Sequence, residues 1–389
     1  CVHHLQTGLT FGLIKDPFRR SGAIIRTQRF GAIKARATNK IAMRVSASHR
    51  LRVNSRWNLN FICVFFFMID PATQFLIQAE DIPKQPEDVR RWHGLQGAAF
   101  ALAIHETALA ENRCILIIAE HSQSAQRLQQ ELAFFSGGAY PIDIFPDYET
   151  LIYDGFSPHQ DILSDRLALL SRAALDRAVV IVPAATLLLR LPPRAFLLGH
   201  NLRLQTGQRL DLSTLRRQLH ASAYRAVDTV IEHGEFTVRG SVLDLFPMGA
   251  ANPFRVELFD DEIESIRTFD PETQLSTGIT DAIDTLPARE FPLSKEGIRL
   301  FQDQWHEQFG GNPRDCRMYQ DVAQGQAPAG IEYYLPLFYT ETETLLNYLP
   351  ADLLLITEAI ANPIQSYWET AKSRYESLRY DLERPILPP

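Results

Sequence analysis

The feature that most narrows the possible folds is a run of alternating side chains from Glu232 to Asp270, EHGEFTVRGSVLDLFPMGAANPFRVELFDDEIESIRTFD. Successive residues of a strand point to opposite faces. Within FRVELF, Phe254, Val256 and Leu258 therefore share one side, and Arg255, Glu257 and Phe259 share the other. Before the Pro/Gly/Asn turn, Phe236 and Val238 alternate in the same way with Thr237 and Arg239. The run reads as two strand pairs joined by that turn, with an apolar floor on one side. The opposite side, where solvent-facing polar residues are expected, carries Arg239, Arg255 and Phe259. Arginine beside an aromatic is the composition of a protein–protein hot spot. The competing reading turns Phe259 inward at a bulge and pairs the arginines with local carboxylates. Taken alone, the pattern favours this second reading.

The chain of 389 residues is long enough for two or three domains, each with its own core. Its net charge of −7 is unevenly spread. Residues 1–67 hold 12 Lys/Arg against one acid, Asp16, whereas the rest holds 27 Lys/Arg against 45 Asp/Glu. A body that acidic is a poor electrostatic match for bare DNA, whose binding relies on cations neutralising phosphates. It suits a basic protein partner better. The four cysteines, Cys1, Cys63, Cys114 and Cys316, show no CxxC and no metal spacing, as expected of a reduced cytoplasmic protein. Residues 1–67 lack a sustained helical or strand period and end in FICVFFF before Met68. The segment reads as upstream sequence outside the fold, ahead of a targeting peptide or a nucleic-acid-binding arm. Its apolar run is too short to span a bilayer.

From Trp92 onward, helical and strand patterns alternate. GLQGAAFALAIHETALAE has helical spacing, CILIIAE is a buried-looking strand, SAQRLQQELAFF an amphipathic helix, and YPIDIFP and RAVVIVP are further strands. Such alternation implies an α/β fold with a parallel sheet. LRLQTGQRLDLSTLRRQLH then reads as strand, glycine turn and helix, with Asp211 or Ser213 as the N-cap. The helix over IRLFQDQW presents a core stripe of Ile298, Leu300, Phe301 and Trp305, and YLPADLLLITE contains another strand.

GEFTVRGSVLDLFPMG and FRVELFDDEIESIRTFD resemble the small inserted domain shared by the UvrB and transcription-repair coupling factor (Mfd) families. FPDYETLIYDGFSPHQDILSDRLALL, GIEYYLPLFY and RPILPP are similar to the coupling-factor version, in its N-terminal UvrB-homology module. The resemblance runs from about Met68 to Pro389. It implies a RecA-like, degenerate P-loop domain interrupted by a UvrA-interaction domain. Residues 68–200 would form the first part, 201–287 the insertion, and 288–389 the return and a truncated second lobe. It also implies that UvrA is contacted by Arg239, Arg255 and Phe259. In the full-length family, RNA polymerase, duplex DNA and ATP belong to later domains.

Gly94, Gly97, Phe100 and Ala101 stand where the related helicase subunit has its P-loop. A working loop needs Lys for the β/γ-phosphates and Ser/Thr for Mg²⁺. Phe100 and Ala101 occupy those positions, so no ATP cofactor is expected. The aromatics Tyr148, Tyr153 and Phe156 lack flanking basic residues, and a single-strand platform needs a positive groove. Neither His105-Glu106 nor His306-Glu307 has the second His of a zinc-protease motif, and no catalytic or metal site is proposed. The expected function is a non-enzymatic, UvrA-recruiting module. The alternative is a divergent UvrB-like helicase lobe with residual ATP or damaged-DNA binding.

Overall fold

The structure, a computed structural model, describes residues 76–389 except 78–79, 86–87 and 173–176. The expectation for residues 1–67 lies outside them. Helix α1 (Ala99–Ala110) leads to strand β1 (Cys114–Ala119), helix α2 (Ser122–Ser136) and the short strand β2 (Ile142–Ile144). Helix α3 (Gln160–Ser171), strand β3 (Val179–Pro183) and the short helix α4 (Arg194–Gly199) follow. Next come β4 (Leu202–Gln205), α5 (Leu212–Ala221) and β5 (Arg225–Ala226). A meander follows: β6 (Glu235–Arg239), β7 (Val242–Leu245), β8 (Phe254–Phe259), β9 (Glu262–Phe269) and β10 (Ser276–Thr280). The chain then runs through β11 (Ala282–Thr285), α6 (Lys295–Gln308), α7 (Arg317–Ala323) and α8 (Leu345–Tyr348). It finishes with β12 (Leu353–Thr357) and α9 (Ala361–Leu378).

The parallel sheet has the order β12-β1-β3-β2. Every residue of β1 and β3 is buried, because both faces of the sheet are covered. Ile115, Ile117, Val179 and Ile181 face α1 and α2, while Cys114, Leu116, Val180 and Val182 face the main core. Strand β12 arrives more than two hundred residues after β1 yet pairs with it in parallel, from Cys114↔Leu353 to Ile118↔Thr357. A segment between β3 and β12 is thus inserted into one sheet.

That segment contains an antiparallel-rich sheet of order β10-β9-β8-β7-β6-β5, and a separate β11-β4 pair. Phe236, Leu243, Leu245, Val256, Leu258 and Ile266 form its buried face, as the alternation requires. Helix α5 packs there through Leu215 and Leu219. Asp211 caps it, accepting from the backbone N–H of Ser213 (3.1 Å) and Thr214 (3.2 Å).

A buried polar knot ties the chain after the insertion to the parallel-sheet layer. Arg166 on α3 donates Nε to Glu290 Oε1 (2.6 Å) and Nη1 to the Pro146 carbonyl (2.8 Å). Tyr148 donates to Glu290 Oε2 at 2.6 Å, and the Phe145 and Tyr148 rings lie 4.2 and 4.1 Å from the guanidinium carbon. Burial opposes the Arg166 charge, but the attraction of Glu290, foremost among its partners, outweighs it and holds its pKa above the ordinary value.

Candidate protein-docking face

The outer side of the six-stranded sheet is laid out by strand register. Directly opposed residues in antiparallel pairs share a face. One row across the sheet therefore reads Thr237, Asp244, Arg255, Arg267 and Ile279. The next reads Arg239, Val242, Glu257 and Ser265. Beyond it stands Phe259, opposite Glu262 at the β8–β9 turn. The three residues singled out from the sequence thus lie on one face.

Asp244 sits at the centre and is 1 % exposed. Arg255 donates Nε to its Oδ1 (2.7 Å) and Nη2 to its Oδ2 (2.9 Å), a two-pronged clamp. The remaining Arg255 Nη1 reaches the Gln274 carbonyl at 3.4 Å, and the guanidinium carbon lies 4.9 Å from the Phe269 ring centroid. Foremost through the hydrogen bonds it donates to Asp244, the Arg255 pKa is raised above its ordinary value. Arg239 approaches the same carboxylate from the other side, donating only Nη2 to Oδ2 at 2.8 Å. Its side chain is 57 % exposed, against 22 % for Arg255. The expected pairing of the arginines with a local carboxylate is therefore present, and one carboxylate serves both.

Phe259 does not turn inward. The pairing irregularity lies between Glu257 and Leu258, and β9 absorbs it: Ser265 and Ile263 are consecutive partners there, which leaves Glu264 unpaired. The alternation of β8 is preserved, and Phe259 stands 76 % exposed. Ile279 on the edge strand β10 is also exposed on this face, beside Arg267. At the end of the sheet, Phe269, Phe246 and Val230 form a small buried cluster under Arg255. Asp260, Asp261, Glu262 and Glu264 are solvated, with Asp260 in the left-handed turn conformation. His233 bonds Asp161 and the Ala250 carbonyl, each at 2.8 Å, a local structural role.

The sequence reading missed Asp244. Its place was accessible, because the two-residue Gly240-Ser241 turn sets Arg239 against Val242 and hence Thr237 against Asp244. The β7–β8 register that brings Arg255 to the same carboxylate crosses a longer turn and has no such signal.

Residues Gly94 and Gly97 both adopt left-handed backbone, and α1 starts at Ala99. A P-loop joins a strand to a helix, but residues 88–98 contain no strand. Phe100 is half-buried and packs on the α1–α2 side of the sheet, where Ala101 is fully buried. A cavity of about 370 Å³ does open at the carboxyl ends of β2 and β3, the usual ligand position in open α/β sheets. It is lined by Asp143, Asp147, Glu149 and Asp165, with Arg172 already bound to Asp143. Among the described residues no cluster of His, Cys, Asp or Glu could hold a metal ion, and no helix is long and apolar enough to cross a membrane.

An inserted, mainly antiparallel sheet with this outer face defines a class: residues 202–291 match the family described as the UvrB interaction domain. The chain belongs to the transcription-repair-coupling factor family, as its N-terminal UvrB-homology module. It is 42 % identical over 312 residues to the transcription-repair-coupling factor of Haemophilus influenzae, covering 79 % of this chain and 27 % of that protein. The Escherichia coli factor is 42 % identical over 311 residues, with the same two coverages. The Bacillus subtilis factor is 26 % identical over 285 residues, 69 % of this chain and 24 % of that protein. The chain thus spans about a quarter of the length of these relatives.

Proposed function

We propose that this chain is the UvrA-recruiting module of a cytoplasmic transcription-repair coupling factor, acting in transcription-coupled nucleotide-excision repair. It binds UvrA through the sheet face that carries Arg239, Arg255 and Phe259. The observation that carries the reading is the exposure of Phe259, 76 %, on the same sheet face as a half-free Arg239. An aromatic left in water beside an arginine, on a domain of the UvrB interaction family, has the make-up of a binding anchor. The boundaries 68–200, 201–287 and 288–389 follow this reading: a RecA-like domain, its insertion and its return. Strand β12 pairing with β1 supports the interruption of one domain by another.

The module itself is non-enzymatic. Phe100 and Ala101 lack the phosphate and magnesium chemistry, and the carboxylate-lined cavity at the strand ends opposes a nucleotide's phosphates. Translocation on duplex DNA, ATP use and RNA polymerase contact fall to the remainder of the relatives' length. The helicase-lobe alternative has no observation in its favour.

Titration of UvrA with this chain tests the reading. Phe259→Ala and Arg239→Ala each weaken binding by ~2 kcal/mol, roughly thirtyfold, and Phe259→Ala does so with melting temperature unchanged. Binding indifferent to both variants would place the interface elsewhere.

A further inference from the structure

Two guanidiniums share one buried carboxylate on the outer sheet face, and the two are held differently. Arg255 is spent: Nε and Nη2 are on Asp244, Nη1 is on the Gln274 carbonyl, and the guanidinium lies over Phe269. Arg239 gives Asp244 only Nη2, and among the described residues its Nε and Nη1 make no hydrogen bond. Its side chain is more than half exposed, so those donors are available to a second molecule. The carboxylate also limits their direction. With Nη2 bonded to Asp244, the guanidinium samples fewer orientations before any partner arrives, and preorganisation of this kind raises affinity by cutting the ordering cost.

The local charge leads to the same place. Asp244 neutralises one of its two arginines, and Arg267 is answered by Glu257 at 3.5 Å. Arg239 keeps an exposed positive charge on the same outer face as the ring of Phe259, two strands away. On the basis of the proposed UvrA contact, we infer that Asp244 is the positioning residue of this face. It holds Arg239 to receive a carboxylate of the partner, while Arg255 supports Asp244 from behind and does not itself bind the partner's acid. The complementary surface is an acidic side chain next to an apolar pocket for Phe259.

The test is a double-mutant cycle on the full chain, titrated against UvrA with melting followed in parallel. Asp244→Asn keeps the side-chain shape but turns one acceptor into an amide facing a guanidinium. It is expected to weaken UvrA binding about tenfold when Arg239 is present and to change little in the Arg239→Ala background. An equal loss in both backgrounds would mean a purely structural carboxylate, and no loss in either would remove its role; both results overturn the inference. Arg239→Lys keeps the positive charge and leaves the buried carboxylate and its Arg255 clamp in place, and it covers the case in which Asp244→Asn does not fold. Weakened binding in Arg239→Lys supports an oriented guanidinium, whereas full affinity shows that any point charge suffices and overturns it. Failure of the underlying docking reading looks different: there, Phe259→Ala binds as wild type does. Failure of this inference alone leaves Phe259→Ala weak, with Asp244→Asn either unimpaired or equally impaired in both backgrounds.

Discussion

At the scale of single residues, the buried carboxylates Glu290 and Asp244 have separate tasks. Glu290 belongs to the interior, where it accepts from Arg166 and Tyr148 with its side chain 1 % exposed. Breaking such a pair leaves an uncompensated buried charge, so Glu290→Gln is expected to destabilise the fold by about 3 kcal/mol. Denaturant titration would show this as a lower midpoint with an unchanged slope. Burial, and then the Glu290 charge, also hold the Tyr148 hydroxyl well above the usual phenol range, so it stays a donor at neutral pH. Asp244 is as deeply buried, but it faces the outer side of the sheet and serves two arginines that emerge there. Phe259 touches no core cluster. Its removal is therefore expected to change partner binding and leave melting alone, the reverse of the Glu290 variant.

At the scale of elements, helix α5 and the β7–β8 turn offer separable tests. Side-chain hydrogen bonds from Thr214, then Ser213, lower the Asp211 pKa to about 2. A depressed carboxyl stabilises the fold above its unfolded pKa of ~3.9, and that stability is lost as pH falls through the folded value. Asp211→Ala should accordingly lower the melting temperature near neutral pH. The gap from wild type should narrow as pH falls from about 4 to 2, as followed by circular dichroism. Gly249 sits in the turn at φ 78°, with its N–H on Ser164 Oγ at 2.7 Å. A Cβ there would meet Ala168 Cβ and Leu286 Cδ1, each at 3.2 Å. Gly249→Ala combines left-handed strain with crowding against α3 and is expected to cost ~1–2 kcal/mol in thermal unfolding. At the other edge of the sheet, Ile279→Lys is expected to weaken UvrA binding without a melting shift, because its side chain stands in water on the docking face.

At the scale of the whole molecule, the parallel sheet keeps a ligand-binding outline without phosphate chemistry. A ligand at a hundred times its dissociation constant would add about 2.7 kcal/mol to stability. Millimolar Mg-ATP is therefore expected to leave the melting curve of this chain unmoved, and a shift would revive the helicase-lobe alternative. The local layout of the chain was largely legible in its residues. The FRVELF alternation, the Asp211 cap and the continuous apolar strands at 114–119 and 179–183 are statements about neighbours in sequence, where pleat and helical period dictate which side chains share a face. Likewise, Phe100 and Ala101 are seen in the sequence itself to offer neither a cation for a phosphate nor a hydroxyl for Mg²⁺. Tertiary structure alone decided what depends on distant strands. It brought β12 back to β1, joined Arg166 to Glu290, and used the bulge on β9 to keep Phe259 outward. It also placed Arg239 and Arg255 on one carboxylate, so that one guanidinium is clamped by two bonds and the other held by one. Periodicity assigns a side chain to a face. Which charge meets it there depends on the register of strands joined by long turns, and that is set by the packing of the whole sheet.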